Sequence, residues 1–432
     1  MIMKNILGTT ATRVLNALFN LFALLMITRL MGREMLGQIS LILVDVTVIQ
    51  LLVDFLAGSA LVYFASRMEI SKLILPAYFW ILLIVVCIVF ITRIVFNYFP
   101  AFESAIIPVG FASWILILAL LNGFMQTHYN LLLGYNRIKA YNIIFTLQIV
   151  VFIAIFAFLM LAEKEHSVLS YVLSLGVSWA VSSLLGFISL TKNMKGFSFR
   201  FWNDEVKQIF HYGSMTQGAN ILHLGNKRFS YYLLRILDGF APLGLFSAAV
   251  QLTEGLRLAG QSISLVQFSS ISNSRDEDYS KNLTIKSMKF SLMLTLSGLI
   301  VLICIPVQTY GAVFGKNFGE IRWIVLALSP GILALAASNI FSHYFSGTGN
   351  PKINLLSNLT GFVVMLISAF SLIPVYGYMG AAVTASLSYS ASAVHQYIIF
   401  RKQTQTVLDE WYLKKEDVTS FVKTIRKLFQ TN

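Results

Sequence analysis

Of the 432 residues, 57% are AVILMFWYC and only 12% are charged, against ~25% charged in an ordinary soluble domain. A soluble fold of this size has nowhere to bury so much apolar surface, so lipid is the solvent for most of the molecule. The 32 Lys and Arg exceed the 19 Asp and Glu to leave a net charge of +13. In a soluble chain that excess would raise nucleic acid as a partner; here membrane topology accounts for it, and no nucleic-acid partner is expected.

Met1 to Ile6 carries one lysine and runs into a long apolar segment with no small-residue cleavage site, which reads as an uncleaved first span. From there, apolar runs fall at roughly 6–28, 36–65, 74–97, 105–133, 138–162, 167–190, 209–236, 241–271, 284–309, 321–346, 352–375 and 378–400. Each is long enough to cross ~30 Å of hydrocarbon as a helix and lacks the alternation of a barrel strand. The expected fold class is therefore an all-α polytopic membrane protein of about twelve transmembrane helices. The longest connections, near 191–208 and 272–283, are too short to hold a folded catalytic domain.

Placing alternate connections on the same side sorts the positive charge. One side collects Lys4, Arg67, Lys72, Arg137, Lys139, four residues between 192 and 207, Arg275, Lys281, Lys286, Lys352 and seven in the tail, twenty in all. The other side collects seven: Arg29, Arg33, Arg93, Lys164, Arg235, Lys316 and Arg322. This bias predicts an even number of spans with both termini cytoplasmic. After Phe400, apolar residues from Leu408 and Trp411 to Phe429 recur at helical spacing among Lys414, Lys415, Lys423, Arg426 and Lys427. That pattern predicts an amphipathic tail on the inner leaflet, with membrane lipid as its partner.

Ionisable groups inside spans are costly, so those that persist mark candidate functional positions. In the first span Arg13, Asn16 and Asn20 share a face with Thr9. Arg13 there either forks onto a diphosphate or snorkels to the headgroups. In the second span Gln50 and Asp54 share a face with Thr47, whereas Asp45 lies about half a turn away. The fourth span carries a neutral stripe of Asn122, Gln126 and Asn130, suited to sugar hydroxyls or to helix packing. Gln217, Asn220 and Lys227 lie near one face of the seventh span, flanked by His223 and Arg228. Gln251, Glu254, Arg257 and Gln261 do so in the eighth, where Glu254 and Arg257 at i, i+3 are placed to pair. Cys87 and Cys304 sit inside apolar runs, and the histidines show no metal spacing, so neither a disulfide framework nor a metal site is expected.

The two halves echo each other. Leu36-Gly37 and Ser40 recur 207 residues later as Leu243-Gly244 and Ser247, and Gly134 to Lys139 recurs 213 later as Gly347 to Lys352. Six spans per half make the repeats parallel, with a cleft expected between them. The chain is thus divided into an N-terminal six-helix lobe over 1–200, a C-terminal six-helix lobe over 201–400 and a cytoplasmic tail over 401–432.

Arg29-Leu30-Met31-Gly32, Leu36-Gly37 and Asp54 to Leu61 resemble the first two spans of Wzx-type polysaccharide flippases, in the superfamily that also holds MurJ and the MATE exporters. Leu243 to Ala249, Val313 to Phe318 and Pro374 to Ser386 match in the same order, so the resemblance spans the chain. It departs at Leu56, Tyr63 and Asn226, where relatives often carry Gly, Arg and an acidic residue. The resemblance implies a MATE/MurJ-like pair of lobes with a V-shaped cavity. It further implies movement of undecaprenyl-pyrophosphate-linked oligosaccharide, the repeat unit of O-antigen or capsular polysaccharide, to the outer leaflet of a bacterial inner membrane. A polysaccharide polymerase and ligase would be its partners.

On that reading Arg13, Lys227, Arg228 and Arg257 form a cationic cavity, with Asn16, Asn20, Gln50, Asn220 and Gln251 as its polar lining. Asp54 and Glu254 are the candidates for proton or ion coupling. No phosphate-binding GxxxxGK[ST] loop is present, so no ATP and no other cofactor is expected beyond H+ or Na+ coupling. A MATE-like exporter of small molecules is the nearest alternative. An enzyme would want a sizeable loop with paired acids or a catalytic histidine, and is not expected.

Overall fold

The computed structural model describes residues 18–65, 67–99, 106–162, 167–192, 196, 204–272, 274, 276–412 and 419. Within its helices the side chains of Ser59, Met215, Thr216, Ala219, Leu408 and several residues between 257 and 269, Arg257 among them, lie outside that description. Every regular element among the described residues is helical.

The helices are α1 (Leu18–Leu30), α2 (Gly32–Ala57), α3 (Ser59–Ala65), α4 (Ile70–Tyr98), α5 (Ala112–Gly134), α6 (Ile138–Ala162), α7 (Val168–Thr191), α8 (Asp204–Asp238), α9 (Phe240–Ser272), α10 (Glu277–Cys304), α11 (Val307–Phe314), α12 (Ile321–Gly347) and α13 (Lys352–Thr404). Eight stretches among the described residues are both long and apolar enough to cross a membrane. That count understates the spans for two physical reasons. At 53 residues α13 would be about 80 Å long, far beyond ~30 Å of hydrocarbon. Gly377, with φ 52° and ψ −130°, breaks it into 352–376 and 378–404. The 35-residue α8 and 33-residue α9 are long enough but too rich in Gln, Asn, Lys, Arg and Glu to register as apolar. With these the described helices match in order the eleven runs from 36 onward; of the first run, 6–28, residues 6–17 lie outside the described residues and 18–28 fall in α1.

Three boundaries differ from the sequence reading. The second span is not continuous: Gly58, at φ −90° and ψ −143°, ends α2, and α3 follows as a separate short helix. The ninth ends early, because Pro306 has no N–H to donate and Ile305 turns extended; α11 then starts afresh. The tail departs as well. Gln405, in the left-handed region at φ 50°, ends α13, and Leu408–Trp411 forms a 3₁₀ turn. The Trp411 ring packs on Phe341, Tyr397 and Phe400, and Glu410 pairs with Lys281 at 3.0 Å. Leu408 and Trp411 therefore belong to a turn docked on protein rather than to a helix lying on lipid. Most of the expected amphipathic stretch beyond Tyr412 lies outside the described residues.

The chain forms two compact units. The first comprises Met1–Leu224, Asp238–Gly244 and Val313–Gly315, and the second Gly225–Leu237, Leu245–Ala312 and Lys316–Asn432. The division falls inside α8, later than the boundary at 200 expected from counting spans. The early part of α8 is bound into the first unit: a Cβ at Gly213 would lie 1.9 Å from the Phe55 carbonyl oxygen, so only glycine permits that approach.

In the first unit α5 packs against α2, α3, α4 and α7, burying Leu56, Leu61, Ile74, Ile81, Leu118 and Leu131. In the second, α12 packs against α10 and α13 around Ile285, Met288, Ile340, Phe345 and Phe400. Phe90, Ile143, Phe158, Ile188, Ile367 and Phe370, by contrast, are exposed. Large apolar side chains on the outside are what a lipid solvent calls for.

Both sequence echoes recur as packing. Gly134 meets α3, where an added Cβ would lie 2.5 Å from Ala65 Cβ and 2.9 Å from the Val62 carbonyl oxygen. Gly347 meets α9 in the same way, 2.9 Å from Ile271 and 3.6 Å from the Phe268 carbonyl oxygen. Gly37 and Gly244 meet each other: a Cβ on Gly37 would lie 2.0 Å from the Phe240 carbonyl oxygen, and one on Gly244 1.7 Å from that of Arg33. Arg33 precedes Gly37 by four residues, as Phe240 precedes Gly244. The contact is thus reciprocal, and all four residues lie in the first unit.

Candidate functional site

The residues expected to act together separate into two clusters, one in each compact unit. In the first unit the helix break at Gly58 organises a chain of amides around one carboxylate. Gln50, one turn before Asp54, donates its Nε2 to Asp54 Oδ1 at 2.7 Å. Asn122 of α5 donates Nδ2 to Gln50 Oε1 at 2.9 Å. At the break itself side chains serve the backbone: Gln217 Nε2 donates to the Asp54 carbonyl oxygen at 3.4 Å and Asn130 Nδ2 to that of Ala57 at 3.2 Å. Asn220 donates Nδ2 to Gln217 Oε1 at 3.1 Å. Gln50, Asn122 and Gln217 are buried, and Asn220 is exposed. Of these five amides only Gln50 reaches the Asp54 carboxylate; Asn122 orients Gln50, and Gln217 and Asn130 serve the backbone carbonyls around the break. The carboxylate thus has a neutral donor inside a span that would otherwise leave it unsatisfied.

In the second unit the arrangement is ionic. Glu254 of α9 receives two cations from consecutive residues of α8: Lys227 Nζ lies 3.5 Å from Oε1 and Arg228 Nη2 lies 3.4 Å from Oε2. Arg228 also donates Nη1 to the Tyr231 hydroxyl at 2.6 Å, with its Cζ 5.0 Å from the centre of that ring. The Lys227 side chain is 9% exposed, while those of Arg228 and Glu254 each retain 24%. Just before this pair, the buried Asn226 donates Nδ2 to the Asn358 carbonyl oxygen at 3.1 Å, while its Oδ1 has no hydrogen-bond partner. Two cations sharing one carboxylate leave a net charge of +1. The planar guanidinium and the lysine ammonium together offer the donors that phosphate oxygens accept.

Lys227, Arg228 and Glu254 are therefore brought together, and so are Gln50, Asp54 and Asn220. Glu254 thus meets two cations of α8 that sequence spacing did not pair with it; its expected i, i+3 partner is Arg257. The side chain of Arg257 lies outside the described residues, as do Arg13 and Asn16. Asn20 and Gln251 are both exposed and join neither cluster in any hydrogen bond described. Tyr231 was missed by the sequence reading, although its spacing of three from Arg228 on a helix would have raised it.

The buried His128 was also left unassigned. Its Nε2 meets the Tyr78 hydroxyl and its Nδ1 lies 3.3 Å from Ser183 Oγ. Both ring nitrogens are thus satisfied by neutral groups. Among the described residues no group of three or more His, Cys, Asp or Glu is placed to hold a metal ion.

This architecture is that of a multi-pass membrane protein, and its fold has counterparts among solved structures. It is similar to a multidrug resistance MATE family transporter of the MOP superfamily in an inward-facing conformation, with a TM-score of 0.73 and 14% identity over 90% of this chain and 94% of that one. It is also similar to the lipid II flippase MurJ in an inward closed conformation, with a TM-score of 0.71 and 15% identity over 100% of this chain and 93% of that one. At these identities the likeness is one of fold.

The sequence places the chain more narrowly. The family described as polysaccharide biosynthesis protein matches residues 2–259 and 254–432, and the chain belongs to that family. A curated relative, the capsular polysaccharide biosynthesis protein CapF of Staphylococcus aureus, is 25% identical over 173 residues, 39% of this chain. The match spans 44% of that relative's length.

Proposed function

We propose that this protein is a flippase that carries undecaprenyl-pyrophosphate-linked oligosaccharide, the repeat unit of an O-antigen or capsular polysaccharide, from the cytoplasmic to the outer leaflet of a bacterial inner membrane by alternating access. The observation that carries the reading is the Lys227–Glu254–Arg228 cluster on membrane helices, with its surplus positive charge. A diphosphate and a string of hydroxyls lose their hydration in hydrocarbon without replacement. A partly exposed guanidinium and ammonium supply substitute partners while the polyprenyl tail stays in lipid. Membership of the polysaccharide biosynthesis protein family supports the substrate class.

Both termini face the cytoplasm, a placement that the distribution of Lys and Arg supports. Transport draws on an H+ or Na+ gradient rather than ATP, with Asp54 and Glu254 as the carboxylates that exchange the ion. A polysaccharide polymerase and ligase act on the product at the outer leaflet.

Genetic complementation tests the reading. The triple variant K227Q/R228Q/E254Q removes both cations without leaving a carboxylate unpaired. It is expected to abolish surface polysaccharide in a strain lacking the chromosomal copy, with protein level in the membrane unchanged. Polysaccharide at the wild-type level in that strain would reject the cationic site.

A further inference from the structure

We propose that Tyr63, Tyr212 and Arg67 form a sugar-stacking platform that distinguishes a glycan-bearing lipid pyrophosphate from the bare lipid pyrophosphate. This rests on the flippase reading and adds to it a subsite for the sugar, separate from the cations that suit the phosphates. Tyr63 lies near the end of α3 and Tyr212 in the third turn of α8, both within the first unit. Their rings stack with centroids 5.0 Å apart and planes 13° apart, and Phe64 meets Tyr212 edge-on at 6.2 Å. Arg67 Cζ also sits 3.7 Å from the centre of the Tyr63 ring. Its Nη1 donates to the Tyr63 carbonyl oxygen at 2.9 Å, which fixes the guanidinium in place.

The stack stays open: Tyr63 is 42% exposed and Tyr212 39%. An exposed aromatic face held rigid by its neighbours loses little conformational freedom on binding. Its negative quadrupole attracts the C–H face of a pyranose ring, while hydroxyls at the sugar's edge find phenol and guanidinium partners.

Two of the lysines near these segments are already matched by carboxylates. Lys72 is matched by Glu205 and Lys207 by Asp204, each pair at 3.1 Å. On the proposed orientation the connection after α3 and the start of α8 face the cytoplasm, where the lipid-linked glycan is assembled. Tyrosines that merely anchored a helix at the headgroups would be indifferent to the sugar.

The test uses the full chain in nanodiscs, with undecaprenyl pyrophosphate and undecaprenyl-pyrophosphoryl-N-acetylglucosamine as probes and binding followed by native mass spectrometry. The wild type is expected to bind the sugar-bearing lipid about 5- to 10-fold more tightly, the scale of one or two aromatic contacts. Tyr212→Ala is expected to abolish that difference and leave affinity for the bare lipid unchanged; the second readout also establishes that the variant is folded. Tyr212→Phe, which keeps the ring, is expected to retain the preference.

A preference that survives Tyr212→Ala, or is lost in Tyr212→Phe, overturns the platform and leaves the flippase reading standing. Equal wild-type affinity for the two lipids does the same. Failure of the wild type to bind either lipid rejects the substrate class itself, and the platform with it.

Discussion

The amide chain around Asp54 and the ion cluster around Glu254 solve the same problem in different ways. Each holds one carboxylate inside a bundle of membrane helices. In the first unit neutral donors do so: Gln50 binds the carboxylate, Asn122 binds Gln50, and Gln217 takes the backbone carbonyl beside it. In the second, two cations converge on the carboxylate and outnumber it. The two halves are repeats, yet the residue 207 positions before Glu254 is Thr47, and the one 207 after Asp54 is Gln261. Charge has therefore been placed independently in each half, while the glycines that set the packing, Gly37 with Gly244 and Gly134 with Gly347, have kept their registers. Packing tolerates little change where backbones touch; a polar position needs only a partner within reach.

The contrast is breakable by mutation. The largest effect is expected at Glu254. Glu254→Gln takes from Lys227 and Arg228 the carboxylate they share, and losing one member of a largely buried ion pair costs ~3–5 kcal/mol. Thermal unfolding in detergent should register that as a large fall in Tm, whereas K227Q/R228Q/E254Q should recover part of it.

Next come the glycines. Gly37→Ala and Gly244→Ala each drive a methyl into a backbone carbonyl, so each is expected to cost about 1–3 kcal/mol or more. Because the contact is reciprocal, the double variant should lose less than the sum of the single losses. Strict additivity in the same unfolding assay would mean that the two glycines do not share one contact.

Tyr231→Phe deletes the oxygen that Arg228 bonds. It is expected to cost ~1.5–3 kcal/mol, the range for hydrogen bonds to charged groups, and to lower export without lowering protein level. Asn122→Ala in the first unit removes one neutral hydrogen bond and should cost least, about 1 kcal/mol. A loss there as large as that of Glu254→Gln would mean that the amide chain and the ion cluster are not energetically distinct.

Much of this was legible before any coordinates. The positions of the spans follow from runs of apolar residues, and even the polar α8 and α9 are marked out by their flanking turns. The repeat was readable at Leu36-Gly37 and Leu243-Gly244, because a glycine needed for close approach leaves a mark in sequence. The clusters were half legible. Lys227, Arg228 and Glu254 stand out as charges in spans, but their meeting was not legible: i, i+3 spacing pointed Glu254 to Arg257 on its own helix and gave no sign of the two cations that α8 brings to it. Tyr231 passed as one aromatic among many, and Trp411 read as part of a lipid-facing helix until its ring was found packed on Phe341 and Phe400.

Sequence alone determined that this is a membrane bundle of about a dozen helices built from two repeats, since the free energy of placing residues in lipid depends on their chemistry and spacing. Tertiary structure alone decided that Asn122 of α5 backs the Gln50–Asp54 bond while Gln217 of α8 takes the Asp54 carbonyl, and that Glu254 meets two cations of α8. A hydrogen bond or ion pair acts over a few ångströms, and which groups come that close is set by how distant stretches of chain pack, not by any local pattern.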